Sequence, residues 1–303
     1  MKPPPSGYTR PESVSEALAV LASLGSDGKV LAGGQSLLPL LSMRLAAPAH
    51  LVDINRLSEL SYVLVGDGQV RVGALARHAG VLSDPGAVRA QPLLGKALRL
   101  VAHPAIRNRG TTVGSIVHAD PAAEMTAVLA LLGGSVRVAG PCGERVVNAE
   151  DFFLGPLESD VRPGELVTEA AFPALPAAAG CAFAEVSRRN GDYAICGVAA
   201  VVELDGDGLI GSARAAYLSV GPRPLVLDLT AACAGSGGGR VPDVAGAGQL
   251  AMASVNPEPD IHATAGYRRQ LAGVLTERAL REASTQARRR ARRHAARGAG
   301  ADG

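Results

Sequence analysis

The chain of 303 residues is poor in most of the features that announce a function class. Aromatic residues are 3 % of it, so a nucleic-acid surface built on stacking rings is not expected. The formal net charge is only +2, and the positive excess is local. It lies in "RRRARRH", Arg288 to His294, read here as a solvated helix end or a docking extension for an acidic partner. Cys142, Cys181, Cys196 and Cys233 show neither C-x-x-C nor zinc-ribbon spacing. They read as free thiols of a reducing compartment, and they offer no thiolate array for an iron–sulfur cluster in this chain. No apolar run reaches the roughly 20 residues of a membrane span. The opening MKPPPSGYTR has no apolar core of a secretory signal. A cytoplasmic protein without a membrane span is expected. The apolar fraction of 47 % allows two domains with real cores.

What is present begins with a helix. Ser13 is placed to cap it, with Glu16 three residues on, and Val14, Ala17, Leu18 and Leu21 share one face before Gly25. "KVLAGGQSLLPLL" predicts a strand, a double-glycine turn and a short helix limited by Pro39. "HLVDI" predicts a second strand, and "YVLVGDGQVRVGA" a hairpin turning at Asp67-Gly68. Helices are expected near Ala76 to Leu82, Leu93 to Ala102 and Ala122 to Leu132. "SVRVAGPCGERVV" predicts another hairpin and "LVTEAAFP" a strand. "PALPAAAG", Pro173 to Gly180, is the best domain boundary. Beyond it three consecutive antiparallel strands are expected, the last two joined by "DGDG". "GSGGGR" reads as a flexible surface loop. The final helix should carry Tyr267, Leu271, Val274, Leu275 and Leu280 on its apolar side.

Three stretches carry candidate chemistry. "GDGLIG", Gly206 to Gly211, fits a dinucleotide fingerprint, but two aspartates would face a pyrophosphate and no full crossover helix follows, so a hairpin turn is expected. "LAGGQSLLPL" lacks the Gly-Lys-Ser/Thr of a P-loop. It offers instead a run of backbone N–H groups at a glycine turn, with Gln35 and Ser36 as further donors. "RGTTVGSIVHADPAAE" offers a second such nest at Thr111, Thr112, Gly114 and Ser115. His118, Asp120 and Glu124 have the chemistry of metal ligands but no metal-site spacing. Asp120 before Pro121 reads better as a helix cap, and Glu124 as a first-turn carboxylate favoured by the helix dipole. No nucleophile motif surrounds Ser36 or Ser115. Tyr193 is either a strand-end core residue or a ring lying on a planar cofactor.

"LAGGQSLLP", "PAIRNRGTTVGSIVHADPAAE" and "RRNGDYA", in this order, together with "YRRQLAGVLTERAL", resemble the flavin (medium) subunits of molybdenum-containing hydroxylases of the carbon monoxide dehydrogenase and xanthine dehydrogenase type. The resemblance runs to about residue 285. It implies an α+β architecture: a vanillyl-alcohol-oxidase/p-cresol-methylhydroxylase (PCMH)-type FAD-binding domain over 1–175, made of subdomains of about 1–57 and 58–175. A C-terminal α+β domain with an antiparallel sheet follows over 180–287, then a basic, flexible tail over 288–303. It further implies that Ala32, Gly33, Gly34, Gln35, Ser36 and Leu37 form one FAD pyrophosphate loop. Thr111, Thr112, Val113, Gly114 and Ser115 form the other. Glu124, with Asp120 beside it, would serve the ribose or phosphate region, and Tyr193 would face the isoalloxazine. Val101 and Val167 would pack near the flavin. No catalytic side chain and no metal ligand is implied in this chain. The implied partners are a [2Fe-2S] small subunit and a molybdenum-cofactor large subunit in a dimer of heterotrimers. Electrons would pass from the clusters through FAD to an external acceptor. A flavin-free scaffold and a stand-alone flavin oxidase are the rival readings. One departure stands out: the family often has Gly-Gly in the second loop, where this chain has Val113-Gly114. Valine resists positive φ, so an ordinary backbone conformation is expected there.

Overall fold

A computed structural model describes residues 2–234 and 242–298, with side chains of the last helix described to residue 293. The stretch GSGGGR lies outside the described residues. The fold is α+β. Contacts divide it into two units, and the first is discontinuous: residues 1–90, 102–120 and 133–173. The second holds 91–101, 121–132 and 174–303, so two helical segments expected in the first domain cluster with the C-terminal part.

In the first unit the local signals act as the sequence indicates. Ser13 Oγ accepts from the Glu16 N–H at the start of the helix Val14–Leu24, and Gly25 ends it at φ 55°. Glu16 returns its carboxylate to the N–H of Glu12, one residue short of the full reciprocal cap. The strands Gly7–Thr9 and Gly28–Leu31 flank His50–Asp53, both in parallel. A second sheet of five antiparallel strands runs in the order Val63–Gly66, Gln69–Gly73, Leu166–Pro173, Ser135–Gly140 and Gly143–Asn148. Its first hairpin turns where expected, with Asp67 and Gly68 both at positive φ (52° and 72°), the twist that matches paired strands.

The second unit is built on the antiparallel strands Ala179–Ser187, Ala194–Leu204, Ile210–Leu218 and Leu225–Asp228. "DGDG" is a hairpin turn, with the Asp205 carboxylate accepting from the N–H groups of Asp207 and Leu209. That disposes of the dinucleotide-fingerprint reading. The helices Pro92–Leu98 and Glu124–Leu132 pack against this sheet. The helix Ala265–Gly298 seats on it through Ala272, Leu275, Ala279, Leu280, Ala283 and Ala287. Tyr267 and Val274, expected on its apolar side, are instead 44 % and 38 % exposed. They lie seven residues apart on the stripe beside the buried one. The helix also continues unbroken through the expected tail to Gly298. Ala291 packs on the core there, and Arg288 and Arg290 reach the carbonyls of Gly208, Leu175 and Pro176.

One half-buried acid works against this second unit. Glu185 lies opposite Gly197 in the sheet, and among the described residues its Oε2 has no hydrogen-bond partner. Burial pushes its pKa from 4.5 up to about 7. A carboxyl with a raised folded-state pKa stabilises fully below the unfolded value, and that contribution is lost as pH rises through the folded value. Stability should therefore fall between about pH 4.5 and 7. Glu185→Gln should remove that fall and gain ~2–3 kcal/mol at pH 8. Urea unfolding of both proteins at pH 5 and pH 8 checks it; equal midpoints at pH 8 would refute the assignment.

Candidate cofactor site

The first loop leaves the strand Gly28–Leu31 and enters the short helix Leu37–Ser42. Among the described residues none accepts from the backbone N–H groups of Gly33, Gly34, Gln35, Ser36 or Leu37. Five consecutive half-buried donors are thus left for a ligand or water. The directions of four of them, all but that of Ser36, are fixed. In a trans peptide the carbonyl and the following N–H point oppositely, so each bound carbonyl aims one free N–H. Asn55 Nδ2 holds the Ala32 carbonyl at 2.8 Å and Gln35 Nε2 holds the Gly33 carbonyl at 3.0 Å. The N–H groups of Leu38 and Leu40 hold the carbonyls of Gly34 and Ser36 at 3.0 and 3.4 Å. Gly34 has φ 72°, a conformation side chains disfavour.

The second loop lies against the first. A Cβ on Gly33 would sit 2.6 Å from the Arg109 carbonyl oxygen and 2.7 Å from Gly110 Cα. Only glycine lets the two backbones approach so closely. The donor set of this loop differs from the expected one. The Thr112 N–H goes to the Ala76 carbonyl, the Gly114 N–H to Thr111 Oγ1, and the Ser115 N–H to the Thr111 carbonyl. The segment is the cap and first turn of the helix Thr112–His118, so three of the four expected donors are spent. Among the described residues it is the N–H groups of Thr111 and Val113 that meet no acceptor. Val113 is helical and buried, which answers its departure from Gly-Gly. Gly114 is needed for a different reason, since a Cβ there would overlap the capping Thr111 Oγ1.

Two residues that sequence reasoning missed tie the loops together. Arg77 donates through Nη2 to Asn55 Oδ1 at 2.7 Å and through Nη1 to the Arg109 carbonyl. Asn55, just past the strand His50–Asp53, also donates to Asp53 Oδ1. Behind the second loop, His78 Nδ1 meets Thr112 Oγ1 at 3.1 Å. Burial, then the charge of Arg107, lowers the His78 pKa to about 4, so the ring is neutral at pH 7.

The remaining candidates are spread over both units. Asp120 does not cap the helix: Ala119, at φ 52°, ends the preceding helix, Pro121 and Ala122 turn, and the next helix starts at Glu124. Glu124 does stand in that first turn and is buried. Tyr193 is 68 % exposed, directly before the strand Ala194–Leu204, so the core reading is wrong. Val101 and Val167 are both buried. Among the described residues no three His, Cys, Asp or Glu side chains converge as a metal site, and no helix is long and apolar enough to cross a membrane.

An aimed row of neutral donors, closed by a second backbone, has the chemistry to accept an anionic group. A family model described as the FAD binding domain in molybdopterin dehydrogenase matches residues 4–175, and one described as the CO dehydrogenase flavoprotein C-terminal domain matches 181–283. The chain belongs to the FAD-binding medium subunits of the molybdenum hydroxylases, and its cofactor is FAD. It is 40 % identical over 296 residues to the 6-hydroxypseudooxynicotine dehydrogenase complex subunit alpha of Paenarthrobacter nicotinovorans, covering 95 % of this chain and 97 % of that one. It is 35 % identical over 292 residues to the carbon monoxide dehydrogenase medium chain of Hydrogenophaga pseudoflava, covering 93 % and 98 %. Among solved structures it is similar to quinoline 2-oxidoreductase from Pseudomonas putida 86, with a TM-score of 0.87, 38 % identity and coverage of 95 % and 99 %. These relatives are oxidoreductases, and this chain is an oxidoreductase component.

Proposed function

We propose that this chain is the electron-transfer subunit of a molybdenum hydroxylase complex, linking the [2Fe-2S] clusters of a partner subunit to an external acceptor. The observation that carries the reading is the loop 33–37, with five consecutive N–H groups that meet no acceptor among the described residues, four of them aimed by bound carbonyls. Neutral donors without a lysine suit a pyrophosphate that brings no metal ion. Ala32 to Leu37 would grip one side of that group, and the cap region from Thr111 to Ser115 the other. Asp120 and Glu124 take the ribose or phosphate role, and Tyr193 offers an exposed ring for the isoalloxazine. Bound FAD supplies a carrier that accepts and releases electrons singly or in pairs. The protein's share is to bind, orient and shield it, so no general base is required of this chain.

The relatives' names, medium chain and complex subunit, support a multi-subunit assembly. We assign the partners as an iron–sulfur small subunit and a molybdenum-cofactor large subunit, in a cytoplasmic dimer of heterotrimers. The visible spectrum of the purified chain after FAD is added tests the reading. Flavin bands that persist through desalting are expected, with turnover only when the partners are added. A chain that takes up no flavin would be a scaffold instead, and turnover by the chain alone would make it an oxidase.

A further inference from the structure

Arg77 occupies a position that neither loop explains by itself. Its backbone belongs to the second loop, where Arg77 and Thr111 form an antiparallel bridge flanked by the bonds His78 N–H to Gly110 carbonyl and Thr112 N–H to Ala76 carbonyl. Its side chain reaches the first loop through Asn55, whose Nδ2 holds the Ala32 carbonyl at 2.8 Å. The amide of Asn55 has no freedom to flip. Its oxygen faces a guanidinium that can only donate, and its nitrogen faces Ala32 and Asp53. Asp53 is itself held, accepting from Asn55 N–H at 2.9 Å and from the Tyr8 hydroxyl. A continuous path of hydrogen bonds therefore runs from the N-terminal strand, through Asp53, Asn55 and Arg77, to the carbonyl of Arg109.

We propose that Arg77 and Asn55 form a clasp that fixes the two FAD loops at their working separation, which makes Arg77 a positioning residue for the cofactor; this rests on the FAD reading above. The clasp acts at both ends on peptide planes. Holding the Ala32 carbonyl aims the Gly33 N–H, and holding the Arg109 carbonyl anchors the backbone against which Gly33 packs. A guanidinium fork spans two acceptors at a fixed angle, which an ammonium on a flexible stem does not.

The test is an FAD titration of the full chain freed of flavin, followed by flavin fluorescence, alongside its thermal midpoint without flavin. Arg77→Ala and Asn55→Ala should each weaken FAD binding by about tenfold to a hundredfold, the range for a hydrogen bond to a charged group. Arg77→Lys should not restore it. The double variant should bind no more weakly than the worse single, because both cut one connection. The flavin-free thermal midpoints should stay within a few degrees of wild type. An affinity of Arg77→Ala within twofold of wild type, full rescue by lysine, or additive losses would each overturn the clasp. Wild-type chain that takes up no flavin would overturn the FAD reading, and the clasp with it.

Discussion

Gly33→Val should yield a folded chain with less than about a tenth of the wild-type flavin, because binding groups tolerate only ~0.5 Å of misplacement. The new Cβ would meet the Arg109 carbonyl oxygen at 2.6 Å, Gly110 Cα at 2.7 Å and the Thr111 nitrogen at 3.0 Å. All three are backbone atoms, so no side chain can swing aside. The loops must part by about an ångström to reach ordinary contact, and overpacking of this kind is relieved by backbone shifts. Parting them pulls the Ala32 carbonyl from Asn55 and turns the Gly33 N–H away from its aim. The fold should survive, since the first loop is only half-buried and most of the core of this unit lies in its sheets and helices. Gly34→Ala is the graded control. It forces a side chain to φ 72°, at a cost of ~1–2 kcal/mol, and leaves the second loop in place. Flavin absorbance relative to protein, with circular dichroism for folding, reads both variants. A folded Gly33→Val chain with full flavin would show that the loops do not grip the cofactor as a pair.

What the sequence made legible was the chemistry of near neighbours. The Ser13 cap, the Asp67-Gly68 turn, the double-glycine loop and the strands beyond Gly180 are each settled within a few residues of chain. The clasp was not legible, because its two bonds join residues 22 and 32 positions apart and neither residue sits in a recognisable motif. The second loop was half legible. Its threonines and glycine suggested a row of donors, but which N–H groups remained free depended on Ala76 and on Thr111's own side chain. The Asp120 cap failed for a local reason that the side chain does not announce: Ala119 takes the left-handed conformation, and the chain turns once more before it coils. The last helix misled because large apolar residues draw attention. Leu271, Leu275 and Leu280 are buried as expected, but four alanines share the seat with them, their small side chains letting the helix lie close to the sheet, while Tyr267 and Val274 are left outside. The same alanine stripe carries it past residue 288, where the charge pattern alone predicts a solvated tail.

Arg268→Met should destabilise the second unit by ~3–5 kcal/mol, the cost of stranding buried polar groups by removing their partner. Arg268 is buried, and it donates to the Ile195 carbonyl at 2.6 Å and the Ser219 carbonyl at 3.0 Å while pairing with Asp260. Ser219 sits at φ 61°, unusual for a side-chain-bearing residue, and is held there on every side. Its N–H goes to the Pro121 carbonyl at 2.8 Å and its hydroxyl to the Ala194 carbonyl at 2.6 Å. One guanidinium thus ties together the strand that starts directly after Tyr193, the turn at Ser219, and through that turn the segment leading to Glu124. Methionine keeps the apolar bulk but no donor, so two carbonyls and a carboxylate lose their partner at once. The loss has a pH signature. Burial opposes ionisation of Asp260, but the N–H groups of His262 and Ala263 and the Arg268 guanidinium outweigh it and hold its pKa down to about 2. A carboxylate with a depressed folded-state pKa stabilises above the unfolded value of 3.8, and that contribution fades as pH falls toward 2. Arg268→Met should therefore unfold at lower urea at pH 7, with the gap to wild type narrowing as pH falls below 3.8. A variant within about 1 kcal/mol of wild type at pH 7 would contradict this account, since that is the scale of one ordinary neutral hydrogen bond.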